Sequence, residues 1–200
     1  MRIEAGAIKG LADFLESAEG ATRPAAAHAM NDVTGGSGLK TYRTEMRKEI
    51  AFPAGYLEDV DRFGQSGFAT AQRLETKISA RARPTSLARF SDGGVGEGVT
   101  VRVKAGRTTR LKRAFTVRLR AGAAITADGF NLGLAVRVKP GTVIRNKKDG
   151  ASAARLAPNV FLLYGPSVDQ VFRTVATTAT PKVLDLMGAE FLRQFARLST

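Results

Sequence analysis

Apolar positions fall at helical spacing at both ends of the chain and alternate in its middle. Ile8, Leu11 and Leu15 recur at i, i+3 and i+7, with Phe14 beside them. This predicts a short amphipathic helix over residues 7–19, closed by Gly20. Thr22 and Pro24 mark a second start, because proline fits the first helical turn, and an alanine-rich segment runs on to Val33. Leu39, Tyr42, Met46 and Ile50 then follow at i, i+3, i+7 and i+11, with Pro53 as the stop. Between these stretches lies Gly35-Gly36-Ser37-Gly38, where each glycine weakens a helix by ~1 kcal/mol. Residues 24–51 therefore read as one glycine-weakened helix or as two. Residues 55–68 read as a loop, with one turn of helix around Leu57 and Val60.

From residue 70 the period drops to two. Leu74, Thr76 and Ile78 alternate with Glu75 and Lys77. A short segment, Leu87 to Phe90, follows Pro84, and residues 91–98 read as a glycine-rich loop. Val99, Val101 and Val103 alternate with Thr100, Arg102 and Lys104, which predicts a half-buried strand. Phe115, Val117 and Leu119 alternate with Thr116, Arg118 and Arg120 in a second. Leu134, Val136 and Val138 alternate with Ala135, Arg137 and Lys139 in a third. Residues 140–158 read as a polar loop, and Val160 to Leu163 as a short apolar strand ending in Tyr164-Gly165-Pro166.

Ser167 can cap a helix, and Val168, Val171, Phe172 and Val175 stand at i, i+3, i+4 and i+7 behind it. Thr180-Pro181 has the form of a fresh cap and first turn. Leu184, Met187, Phe191, Phe195 and Leu198 carry the apolar stripe onward. The chain thus closes with two helices, or with one kinked at Pro181. The expectation is a single α+β domain over 1–200. N-terminal helices occupy 1–53, a basic β region with long loops occupies 70–164, and C-terminal helices packed on the sheet occupy 166–200.

Composition narrows the chemistry. The 200 residues include no cysteine, so there is no disulfide, no thiolate metal site and no thiol nucleophile. His28 is the one histidine, which excludes histidine-pair zinc sites, and no tryptophan is present. No run of ~18 apolar residues is available to span a membrane. The first ten residues carry Glu4 and no apolar stretch, so they do not read as a signal peptide. The expectation from both is a protein made in a cytoplasm.

The net charge is +13. Residues 71–150 hold 18 basic and 5 acidic residues, whereas 1–70 hold 8 and 10, and 151–200 hold 5 and 3. The excess therefore sits in the middle of the chain, which points to an anionic partner for one surface.

No catalytic set stands out. His28 lies in an alanine-rich helical stretch and reads as structural, since histidine catalysis needs an oriented partner. No Gly-x-Ser-x-Gly elbow occurs. Glu58, Asp59 and Asp61 form a turn cluster without the ligand count of a calcium loop. Glu45 and Glu49 interleave with Arg47 and Lys48, as on an exposed helix face. Gly94-x-Gly96-x-Gly98 lacks the Gly-Lys-Ser/Thr of a phosphate-binding loop and precedes a strand. The expectation is no enzyme, no cofactor and no bound metal.

The informative constellation is basic. Side chains alternate across a strand, so Arg102, Lys104, Arg118, Arg120, Arg137 and Lys139 each stand opposite the valines and leucines of their own strand. If the three strands share one antiparallel sheet, its two faces are a core and a basic field. Loop residues Arg107, Arg110, Lys112, Arg113, Arg145, Lys147 and Lys148 would extend that field. Phosphate contacts need only charge and reach. Aromatics for base stacking are missing from that face, which argues against single-strand or RNA modules.

Four blocks, in order, resemble the minor tail protein Z family of long-tailed bacteriophages, the tail completion proteins. The first is Ile8-Lys9-Gly10-Leu11 with the alanine-rich Arg23–Met30. The second is the strand Val99–Lys104 followed by Arg113-Ala114-Phe115. The third is the strand Leu134–Lys139 around Arg137. The fourth, and most specific, is Leu163-Tyr164-Gly165-Pro166-Ser167-Val168, read as a strand end, a Gly-Pro turn (Tyr164, Gly165, Pro166) and a Ser167 cap. Inserts at 91–98, 121–133 and 140–158 depart from the family pattern.

The resemblance implies a structural virion protein. Such proteins are small α+β subunits that form a ring, hexameric by preference or dodecameric, at the head-proximal end of the tail. They meet a tail terminator, a connector and the tail tube, and the double-stranded genome passes through. Loops 91–98 and 140–158 are then candidates for ordering on a neighbouring subunit. The basic residues would line the DNA passage or dock an acidic ring, and easy sliding of DNA favours docking. The alternative reading is a sequence-independent DNA-binding protein that uses the basic sheet face.

Overall fold

A computed structural model describes residues 2–4, 20–92, 98–120, 130–142, 144 and 153–198. The fold is α+β, with helices toward the two ends of the chain and antiparallel sheets between them. The expected helix over 7–19 lies outside the described residues. The chain forms two compact units, one from Met1–Met46, Leu57–Arg81 and Phe172–Thr200, the other from Arg47–Tyr56 and Ala82–Val171.

In the first unit, strand β1 (Arg2–Glu4) pairs with β3 (Glu75–Ala80), which pairs on its other edge with β2 (Phe63–Gly67), all antiparallel. The predicted alternation of β3 is present, with Thr76 and Ile78 buried and Lys77 exposed. β2 falls where the sequence reads as loop, because FGQSG lacks β-branched residues and shows no period. Its strand form rests on a fully buried Phe63 and on Gln65, whose amide donates to the Thr76 hydroxyl at 2.9 Å. A register shift between Gln65 and Gly67 marks the end of regular pairing.

The glycine segment breaks the N-terminal helix in two, α1 (Thr22–Gly35) and α2 (Ser37–Glu49). Gly36 between them takes φ −115°, ψ −101°, which no helix allows. Gly38 then has no room for a side chain, since a Cβ there would sit 2.7 Å from the Val33 carbonyl oxygen. The predicted stripe of α2 is buried at Leu39, Tyr42 and Met46. Tyr42, Phe63 and Phe172 meet edge to face with ring centroids 4.9–6.5 Å apart. The Tyr42 hydroxyl and the Thr180 hydroxyl are hydrogen-bonded at 2.9 Å.

The last helix, α3 (Val168–Leu198), is one helix of 31 residues with Pro181 inside it. The stripe carried by Val183, Met187 and Phe191 is buried, and this burial offsets the ladder bond that proline removes. Phe191 joins Ala25, Ala26 and Ala29 of α1 in a cluster where small side chains let the helices approach.

The second unit is built on a five-stranded antiparallel sheet. β4 (Thr85–Ser86) leads into a 3-10 turn, Leu87–Phe90. β7 (Ala114–Arg120) pairs with β8 (Phe130–Arg137), which pairs with β10 (Val160–Gly165). β9 (Ala153–Ala157) and β4 share the far edge of β10. β5 (Val99–Val101) and β6 (Thr109–Leu111) form a separate two-stranded hairpin. Leu87, Phe90, Val99, Val101, Ala114 and Leu134 are buried in this unit, and Phe52 lies between the rings of Tyr56 and Phe90 at 5.5 and 5.8 Å.

Three expectations change here. The strand beginning at Val99 leaves the main sheet and pairs with Thr109–Leu111, a segment too short to show a period. The insert 121–133 ends in strand, since β8 starts at Phe130. The loop 140–158 contains β9, whose pattern is almost entirely exposed and therefore silent in hydrophobicity.

Candidate polyanion-contact site

The charge divides with the units. The ranges of the second unit hold 18 Lys and Arg against 6 Asp and Glu, a net of +12 out of the whole +13. Those of the first hold 13 and 12. No carboxylate among the described residues forms an ion pair with Arg102, Lys104, Arg107, Lys112, Arg113, Arg118, Arg137 or Lys139.

The register does not gather these cations on one face, and this corrects the expected basic field. Residues directly opposite one another on antiparallel strands share a face. Arg118 stands opposite Leu132, and Thr116 opposite Leu134, so Arg118 shares its face with the leucines of β8. Arg137 stands opposite Val160, while Phe115 opposes Ala135 and Val117 opposes Gly133. Arg137 therefore shares its face with Phe115, Val117 and Leu119. The side chain of Leu119 and that of Leu162 both approach Gly133 on that face. Each strand alternates as its sequence says, but β7 and β8 are paired one step out of the phase that would align their arginines. Arg120 closes the ladder opposite Phe130.

The ladder does bring Arg113 to the same end as Arg137. Arg113 immediately precedes Ala114, whose partner is Val136, and Arg137 immediately follows Val136. Arg113 and Arg137, with the exposed Lys112 and Lys139, leave the same end of the β7–β8 pair.

The remaining basic residues cluster at the β5–β6 hairpin. Residues 104–110 are exposed throughout, as is Arg102. The Arg107 N–H donates to the Lys104 carbonyl at 3.1 Å, and Gly106 between them has φ +70°. A type II turn requires that positive angle at its third position, which explains the glycine. The turn places Lys104 and Arg107 side by side at the hairpin tip. The tip is tied down on one side, because the Ala51 N–H donates to the Val103 carbonyl at 2.9 Å and Ile50 bridges Lys104. Val101, Val103, Lys104, Arg107 and Thr109 line a half-open hollow of about 190 Å³. Thr109 and this hollow escape sequence reading, although the Lys-Ala-Gly-Arg turn is a signal that finds the tip. Arg110 lies on β6 with its guanidinium near Gly98, and Arg145, Lys147 and Lys148 lie outside the described residues.

The Leu163–Val168 block carries β10 through Gly165, and α3 begins at Val168, after Pro166 and Ser167. Tyr164 and Gly165 pair with Ser86 and Thr85, and a Cβ on Gly165 would press the Phe90 ring at 3.0 Å. Beyond Pro166, the Ser167 N–H donates to Gln170 Oε1 at 2.9 Å, and the Gln170 N–H donates to Ser167 Oγ at 3.1 Å. This reciprocal pair is a capping box and satisfies two of the donors that a helix start leaves open.

The acidic residues take structural roles. The Asp61 N–H donates to Asp59 Oδ1 at 3.0 Å, and Asp59 pairs with Arg62 at 3.1 Å, so this cluster closes its own turn. Glu45 accepts from Lys182 at 2.8 Å. His28 is exposed on α1. Among the described residues no helix is long and apolar enough to cross a membrane. No family model matches the chain, and neither a curated protein nor a solved structure does.

Proposed function

We propose that the chain is a structural subunit of a phage neck, a tail completion protein that forms a ring at the head-proximal end of the tail. The observation that carries this reading is the strand-to-helix passage at Leu163–Val168. Its most specific sequence block folds as the end of β10, a link through Pro166 and a Ser167 cap locked by Gln170. Half-buried Phe115, Val117 and Leu119, in a row on one face of β7, support it, because a contiguous apolar row suits a contact between subunits. Ring assembly needs only head-to-tail contacts that close by rotation. The partners are other copies of the chain, the tail terminator, the connector and the tail tube, and the place of action is the virion.

Light scattering on the purified full chain, alone and mixed with tail tubes, tests the reading. It predicts an oligomer of six or twelve subunits that sediments with tubes. A strict monomer that ignores tubes contradicts it.

A second reading, sequence-independent DNA binding, is favoured by one observation, the concentration of +12 in the second unit without carboxylate partners for most of its described cations. The salt dependence of duplex binding tests it, since counterion release gives a steep negative slope.

A further inference from the structure

We infer that the β5–β6 hairpin is where this chain touches nucleic acid, with one backbone phosphate of duplex DNA seated in the hollow between Lys104 and Arg107. The inference rests on the reading that the charge of the second unit meets a polyanion, and it names the place and the partner.

The hollow has the parts for a phosphate. Lys104 and Arg107 flank a tight turn, so two cations stand at one edge, and the Thr109 hydroxyl adds a neutral donor. Arg107 offers a planar fork that binds phosphate oxygens in pairs, and Lys104 a point charge. Val101 and Val103 form the rest of the wall, which lowers the local polarity around the bound oxygens. The bridge of Lys104 to Ile50 holds the turn in place before any ligand arrives.

DNA fits the surrounding surface better than a protein does. Lysine, present here as Lys104, Lys112 and Lys139, is depleted at protein interfaces. A flat acidic partner would also need the cations on one face, whereas Arg118 and Arg137 lie on opposite faces of the sheet. Phosphates demand only charge within reach. One DNA strand presents a phosphate every ~3.4 Å of helix axis, so the irregular run Arg107, Lys112 and Arg113 needs no fixed spacing to meet phosphates.

The test is fluorescence anisotropy of the full chain with a labelled duplex over a salt series. The variants are Lys104→Ala with Arg107→Ala, and Thr109→Val alone, which keeps the β-branched shape. The wild-type chain is expected to bind with a steep salt slope. The double variant is expected to bind more weakly on every sequence, with the slope reduced by about 0.9 for the lost phosphate. Thr109→Val is expected to weaken binding with the slope unchanged, since a hydroxyl carries no charge. Thermal melts of the variants that match wild type exclude unfolding as the cause. A wild-type chain that binds duplex while both variants match it overturns the hollow alone. A wild-type chain that binds no duplex at low salt overturns the polyanion reading as well. Stabilisation by inorganic phosphate that depends on Lys104 and Arg107, without duplex binding, makes the ligand a free phosphate and overturns the assignment to DNA. An acidic protein that binds the hollow in place of duplex overturns it equally.

Discussion

Arg118 and Arg137 leave opposite faces of one sheet, because Arg118 pairs with Leu132 across β7 and β8 while Arg137 pairs with Val160 across β8 and β10. Along β8 the partner of Arg118 lies five residues from Arg137, about 17 Å of strand. The two cations therefore act as separate contacts. Arg118→Ala and Arg137→Ala are expected to change duplex affinity additively, within about 0.5 kcal/mol in a double-mutant cycle. A coupling energy well above that places them in one patch, against the register.

The capping box at the start of α3 gives a stability prediction. Ser167→Ala removes the acceptor of the Gln170 N–H and is expected to cost about 1 kcal/mol in urea unfolding. Gln170→Ala removes the reciprocal bond to the Ser167 N–H, and the double variant is expected to cost less than the sum of the two.

Two glycines predict opposite signs for the same substitution. Alanine in place of glycine stabilises an open helix position by roughly 0.5–1 kcal/mol. Gly188 on α3 has nothing within 4 Å of an added Cβ, so Gly188→Ala is expected to raise the unfolding midpoint. At Gly38 the added carbon meets the Val33 carbonyl at 2.7 Å and the Val183 side chain at 3.2 Å. Gly38→Ala is expected to lower the midpoint, as backbone on one side leaves no room to give.

Acid stability depends on Glu190. Hydrogen bonds from Arg193 hold its carboxyl down to about 2, despite some loss of hydration, and the Gln194 amide adds to them at 2.7 Å. A carboxyl lower in the folded chain than in the unfolded one stabilises at higher pH and loses that contribution as the acid form fills. The loss falls between the ordinary value of 4.5 and about 2. Glu190→Gln is expected to flatten the fall in melting temperature across that window and to lower it at neutral pH.

The helices were legible because their apolar spacing reports burial directly. The stripe of Leu39, Tyr42 and Met46 is buried as its period says, and so are Val168, Val171, Phe172 and Val175. The glycine segment leaves one helix or two open, and the non-helical backbone of Gly36 selects two. The β region was legible strand by strand but not pair by pair. Alternation tells which side chains of Phe115–Arg120 share a face, yet nothing in it fixes the register against β8, and a shift of one residue exchanges the faces. β6 and β9 were missed because one has three residues and the other is nearly all exposed. The hollow at Lys104, Arg107 and Thr109 depends on that unforeseen pairing of β6 with β5, so its residues could be counted as basic but not assembled into a site.

The most direct test of the central claim is electron microscopy of the purified chain at concentrations used for assembly. A neck subunit is predicted to give closed rings with a central channel and six-fold or twelve-fold symmetry. A uniform field of single particles near 21.3 kDa, with no ring in the presence or absence of tail tubes, would contradict the account.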